Sequence, residues 1–126
     1  GIGPDRALQE DGRLMDAGRL YEKVAFDKPV QQSDGQGGTI NGWEQQFECR
    51  AHFHLMRGGE TVQASRLQGQ QPVIVTIRAS SDARQIEPGW RIRDARSGTI
   101  YQVKEPPRLT EDRAYFEMLA MSGVAG

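Results

Sequence analysis

Hydrophobic and polar residues alternate with strand periodicity between Trp43 and Leu55. Trp43, Phe47, Cys49, Ala51, Phe53 and Leu55 hold the odd positions, and Glu44, Gln46, Glu48, Arg50, His52 and His54 the even ones. Side chains on a pleated strand point alternately to its two faces, so this segment predicts a long half-buried strand, with Gln45 the only break in the apolar series. One ribbon cannot bury such a face by itself, so the rest of the chain must supply partner strands.

Shorter stretches read the same way. Leu20, Val24 and Phe26 share a parity, predicting a first strand over Leu20 to Lys28 that Pro29 ends by removing a ladder donor, with Glu22 interrupting its apolar face. Gln31 to Gly42 is rich in Gly, Asn, Asp and Ser and predicts a long exposed hairpin loop. Pro72 to Ala79 is a β-branched run suited to a buried strand. Trp90 and Ile92, then Ser97-Gly98, then Ile100, Tyr101 and Val103 predict a hairpin, and Tyr115 to Met121 a last strand whose buried face the pattern leaves open. Glu60 to Leu67, after Gly58-Gly59, fits one or two helical turns or a mobile loop. The expected fold is all-β: a small antiparallel β-barrel of about six strands with a short helical or irregular insertion.

The 126 residues suit one domain with one core. Residues 1–14 lack a convincing period and read as a flexible arm or an expression remnant, which leaves 15–126 as the barrel domain and Met15 as a candidate natural start. At 37% hydrophobic and 26% charged, with a net charge of −1, the chain lacks the bulk positive charge of many nucleic-acid binders. No apolar run approaches a membrane span or an export signal, so synthesis in the cytoplasm is expected.

Catalytic chemistry is sparse. Cys49 is the one cysteine and lies in the apolar register, which excludes an intrachain disulfide and points to packing. His52 and His54, two apart on one strand face, are the candidate metal ligands; Glu44, Glu48 or Glu60 would have to complete a site faintly like that of metal-binding cupins. The glycine-rich segment lacks the GxxxxGK[ST] order and leads into a strand, against a phosphate-binding loop. No nucleophile signature or carboxylate pair emerges, so the reading is non-enzymatic, with no cofactor.

The order of features resembles the phage head–tail joining proteins, also called adaptors or stoppers. The resemblance runs from Met15 to about Met121. It rests on Lys28-Pro29-Val30, on Ser33-Asp34-Gly35-x-Gly37-Gly38 followed by Trp43, on the insertion from Glu60 to Gln71, and on Trp90-Arg91-Ile92 leading through Gly98-Thr99-Ile100-Tyr101. It implies a protomer that forms a ring in the virion neck of a tailed phage, prophage-derived particle or gene transfer agent, between a portal-side adaptor and a tail or tail-terminator protein. Genomic DNA would pass along the ring axis without sequence-specific binding. The family's channel-narrowing segment maps to Arg57 through Gln70, with Gly58 and Gly59 as hinges and Arg57, Glu60, Thr61, Gln63 and Arg66 as channel candidates. Asp34, Gly35, Gly37 and Gly38 are candidates for an interaction loop.

Overall fold

The computed structural model describes residues 20–123; the expectation for residues 1–14 lies outside them. Seven strands and one α-helix follow in the order β1 (Glu22–Ser33), β2 (Thr39–Leu55), α1 (Glu60–Leu67), β3 (Gln71–Arg78), β4 (Arg91–Asp94), β5 (Ile100–Val103), β6 (Arg108–Leu109) and β7 (Tyr115–Ser122). All pairings are antiparallel. The sheet runs β3-β2-β1-β4-β5-β7-β6, and an added β3–β7 pairing closes it on itself, so six strands form a ring and the two-residue β6 flanks β7 outside it. Closure removes the sheet edges wherever each strand has two neighbours.

The expected alternation fills the ring. Val24 and Phe26 of β1, Ala51 of β2, Val73, Val75 and Ile77 of β3, Ile92 of β4, Val103 of β5, and Phe116, Met118 and Ala120 of β7 are buried in one core, with Phe47, Cys49, Phe53 and Tyr101 packed against it. Phe53 and Tyr101 belong to strands that are not neighbours in the sheet, yet their rings stack at 4.8 Å across the interior. For β7, whose face the pattern left open, the even residues Phe116, Met118 and Ala120 are the deeply buried set, joined by Tyr115 at the strand start.

Strand direction divides the molecule into two ends. Helix α1 links the end of β2 to the start of β3, where β7 also ends and β5 begins. At the opposite end the β3–β4 connection folds inward, with Ala83 in a short 3-10 turn, Ile86 and Trp90 all joining the core. The β1–β2 hairpin rises from this second end.

Three expectations about the hairpin need correction. Pro29 does not end β1, which continues to Ser33 with Pro29 opposite Trp43. Beyond Asp27, β1 is paired with β2 alone among the described residues, and a proline is tolerated where a strand has a free side. The long loop expected over Gln31 to Gly42 contracts to the turn between Ser33 and Thr39, because Ile40, Asn41 and Gly42 pair with Gln32, Gln31 and Val30. Trp43 does not share the inner face with Phe47. The register passes from Phe26↔Phe47 to Asp27↔Gln45, leaving Gln46 as an extra residue, and such a bulge reverses the parity of everything beyond it. Trp43 and Gln45 therefore lie on the outer face beside Asp27. Gln45, the one break in the sequence pattern, was the signal.

Candidate functional site

The outer face at the hairpin's base is held by charge. Asp27 is 1% exposed although it lies outside the core. Arg91 Nε donates to its Oδ2 at 2.6 Å, Arg93 Nε to the same atom at 2.6 Å, and Arg93 Nη2 to Oδ1 at 3.0 Å. Arg91 pairs directly with Asp27 in the β1–β4 ladder, and Arg93, two residues on, shares its face. Arg93 Nη2 also donates to Gln45 Oε1 at 2.8 Å, and the Arg91 guanidinium lies 4.6 Å from the centre of the Trp43 ring. Burial by itself would raise the Asp27 pKa, but the hydrogen bonds and charges of Arg93 and Arg91 outweigh it and hold the carboxyl below the usual range. Arg93 is correspondingly held even more firmly protonated, chiefly by its bond to Asp27. This cluster ties strand β4 of the ring to both strands of the hairpin. The sequence carried a trace of it in Arg91-Ile92-Arg93, whose arginines fall on one face.

Beyond this clamp, the hairpin is a two-stranded ribbon. Among the described residues, Lys28–Ser33 and Thr39–Glu44 pair only with each other, extending about 20 Å at a strand's rise per residue. Ile40 is 52% exposed, and only Val30, Gly42 and Trp43 are half-buried. The interaction-loop candidates Asp34, Gly35, Gly37 and Gly38 form its tip. Asp34 Oδ1 accepts from the backbone N–H groups of Gln36 at 2.7 Å and Gly38 at 3.0 Å, and Ser33 Oγ accepts from Gly35 at 3.1 Å. Gly35 and Gly37 take φ values of 80° and 86°, which glycine adopts without steric cost. The tip is thus satisfied by its own side chains.

The channel candidates lie at the other end. Arg57, Gly58 and Gly59 lead into α1, which contains Glu60, Thr61, Gln63 and Arg66. The segment forms a helix, one of the two forms expected from its sequence. The Gln63 N–H donates to Gly59 O at 3.0 Å, and at the far end Gly69 donates to Arg66 O at 3.0 Å and Gln70 to Ser65 O at 2.9 Å, a glycine-terminated helix end. Glu60 in the first turn and Arg66 in the last match the helix dipole. Val62 is the helix's only buried residue, while Leu67 is 88% exposed. Leu55, Ile100 and Tyr21, also exposed, belong to the same end. The two candidate sets therefore sit at opposite ends and are not brought together.

His52 and His54 project from the outer face of β2, opposite Thr76 and Ile74. Among the described residues no three His, Cys, Asp or Glu side chains group to hold a metal. Glu44 lies beyond the bulge and so on the opposite face from the histidines, and Glu60 sits on α1. Cys49 faces inward opposite Val24, and burial pushes its thiol up to about 12. Among the described residues no helix is long and apolar enough to cross a membrane.

Solved structures that share this fold include the following two. The solution structure of protein SF1141 from Shigella flexneri 2a superposes with a TM-score of 0.62 at 19% identity, covering 89% of this chain and 100% of that one. A chain of the virion of a native gene transfer agent particle superposes with a TM-score of 0.57 at 23% identity, covering 85% of this chain and 98% of that one. No curated protein sequence matches significantly. The family model described as phage head completion protein matches residues 15–123, nearly the whole chain. The chain belongs to the phage head completion protein family.

Proposed function

We propose that this chain is a neck component of a tailed phage or phage-like particle, assembling into a ring that joins head to tail and lets DNA pass along its axis. The coarser part follows from the family: a structural, non-enzymatic role in a phage or phage-like particle. The ring, the DNA passage and the neighbours named above are the finer reading.

One observation carries that reading. The core is self-contained in a closed sheet, yet a long ribbon leaves it at one end with both faces open and, among the described residues, its strands unpaired on their outer sides. A two-stranded ribbon is marginal alone, so a protein that builds one and clamps its base to the core has a use for it in contact with another chain. Contacts between unlike surfaces of identical copies generate rings when the rotation closes. The portal-side adaptor and a tail or tail-terminator protein are the neighbours this reading assigns. Arg57, Gly58, Gly59, Glu60, Thr61, Gln63 and Arg66 are its channel-side residues, on α1 and the segment leading into it, remote from the ribbon. Mixed charge there suits DNA passage, since each retained phosphate contact adds to DNA affinity.

The experiment is assembly with and without the chain. Omitting it should leave filled heads and free tails that do not join, and adding the purified chain should restore joined particles. Normal joining in its absence would refute the proposal.

A further inference from the structure

We infer that the ribbon's two edges, free among the described residues, are complementary surfaces, the edge of β2 over Thr39–Gly42 in one copy receiving Val30–Ser33 of β1 from a second copy of this chain. The inference deepens the ring reading and rests on it.

Two differences between the edges support a head-to-tail contact. The first is charge. The β2 flank bears Glu44, exposed, while the β1 flank bears Lys28, also exposed, beside two arginines that share one aspartate. Placing β2 against β2 would set glutamates together, whereas β2 against β1 sets acidic against basic. The second is the backbone. Pro29 removes one main-chain donor at the base of the β1 overhang, leaving Val30–Ser33 as the stretch with its full complement. Their cross-strand partners in the ribbon are Thr39–Gly42. In a copy rotated about an axis along the ribbon, these same residues lie at equal height. The β2 of one copy and the β1 of the next then run antiparallel, as added strands do. Natural edge strands are usually blocked by charge, proline or cover. From Thr39 to Gly42 the β2 edge has none of these, and Ile40 within it is exposed.

Crosslinking between two single-cysteine variants tests this. In a Cys49→Ala background, Gln31→Cys and Asn41→Cys are prepared separately; the two positions are cross-strand partners, so each chain carries half of the contact. Each variant's circular dichroism and thermal unfolding are compared with the background chain. The full chains are mixed, alone and with heads lacking this protein, and oxidised with copper phenanthroline. A covalent dimer that dominates in the mixture and is absent from either variant alone is the expected result. Dimer in one variant alone would show like edges pairing and overturn the inference. Should light scattering show the wild-type chain assembling while the mixture gives no dimer, the edge assignment falls and the ring reading stands. A wild-type chain that stays monomeric, alone and on heads, defeats both.

Discussion

Arg91 lies over the Trp43 ring at 4.6 Å while its Nε bonds to Asp27, so one side chain fixes both strands of the hairpin to the start of β4. The ribbon's direction is thereby set by three residues that a strand pattern alone would place on different faces. Cation–π and buried ion-pair contacts of this kind gain strength where water is excluded.

Replacing Asp27 with alanine leaves two arginines facing each other without their carboxylate, and should cost about 2–3 kcal/mol, reduced from a fully buried pair because both arginines are partly exposed. Urea unfolding midpoints measure it. Arg91→Ala should cost less, because Arg93 still satisfies the carboxylate with two bonds.

The same group sets an acid dependence. The Asp27 carboxyl is held below its ordinary value in the folded chain, so its contribution is fully present above the unfolded value of about 3.9 and disappears as pH falls through the lower folded one. Between pH 5 and the acid limit, wild type should lose more stability than Asp27→Asn, and the two urea midpoints should converge. Parallel pH profiles for the two proteins would contradict this.

Deleting Gln46 removes the bulge but leaves Gln45 opposite Asp27 and Trp43 opposite Pro29 in a regular ladder, so the ribbon should keep its faces and the clamp its partners. Amide protection over Lys28–Glu44 should therefore persist alongside that of β3 and β7. Exchange that quickens over the ribbon alone would show that the bulge is needed to hold its register.

At Gly123 an added Cβ would stand 2.2 Å from Gly69 O, at a φ of 81°. Gly123→Ala should therefore loosen the contact between the end of β7 and the turn after α1 and lower stability by about 1–3 kcal/mol. Gly58→Ala, with nothing within 4 Å of its Cβ and no positive φ, is the control and should change thermal unfolding little.

The elements on the ring were legible because each packs one apolar face inward, which writes a period of two into the sequence; β3, β4, β5 and β7 fall where that pattern puts them. The ribbon was not, because with both faces wet it needs no such alternation, and its Gly, Asn and Gln residues resemble a loop. Pro29 reinforced that reading, as a proline ends a strand only if the strand has neighbours on both sides. The clamp depended on Asp27 meeting Arg91 and Arg93 from 64 and 66 residues away, and no local spacing encodes such a pairing. Family resemblance supplied the role that residue chemistry alone did not.

The most direct test is electron cryomicroscopy of particles reconstituted with this chain. The account predicts a closed ring at the head–tail junction, with adjacent copies in contact through their β1–β2 ribbons. Density for isolated, non-touching copies, or for the chain anywhere other than the junction, would contradict it.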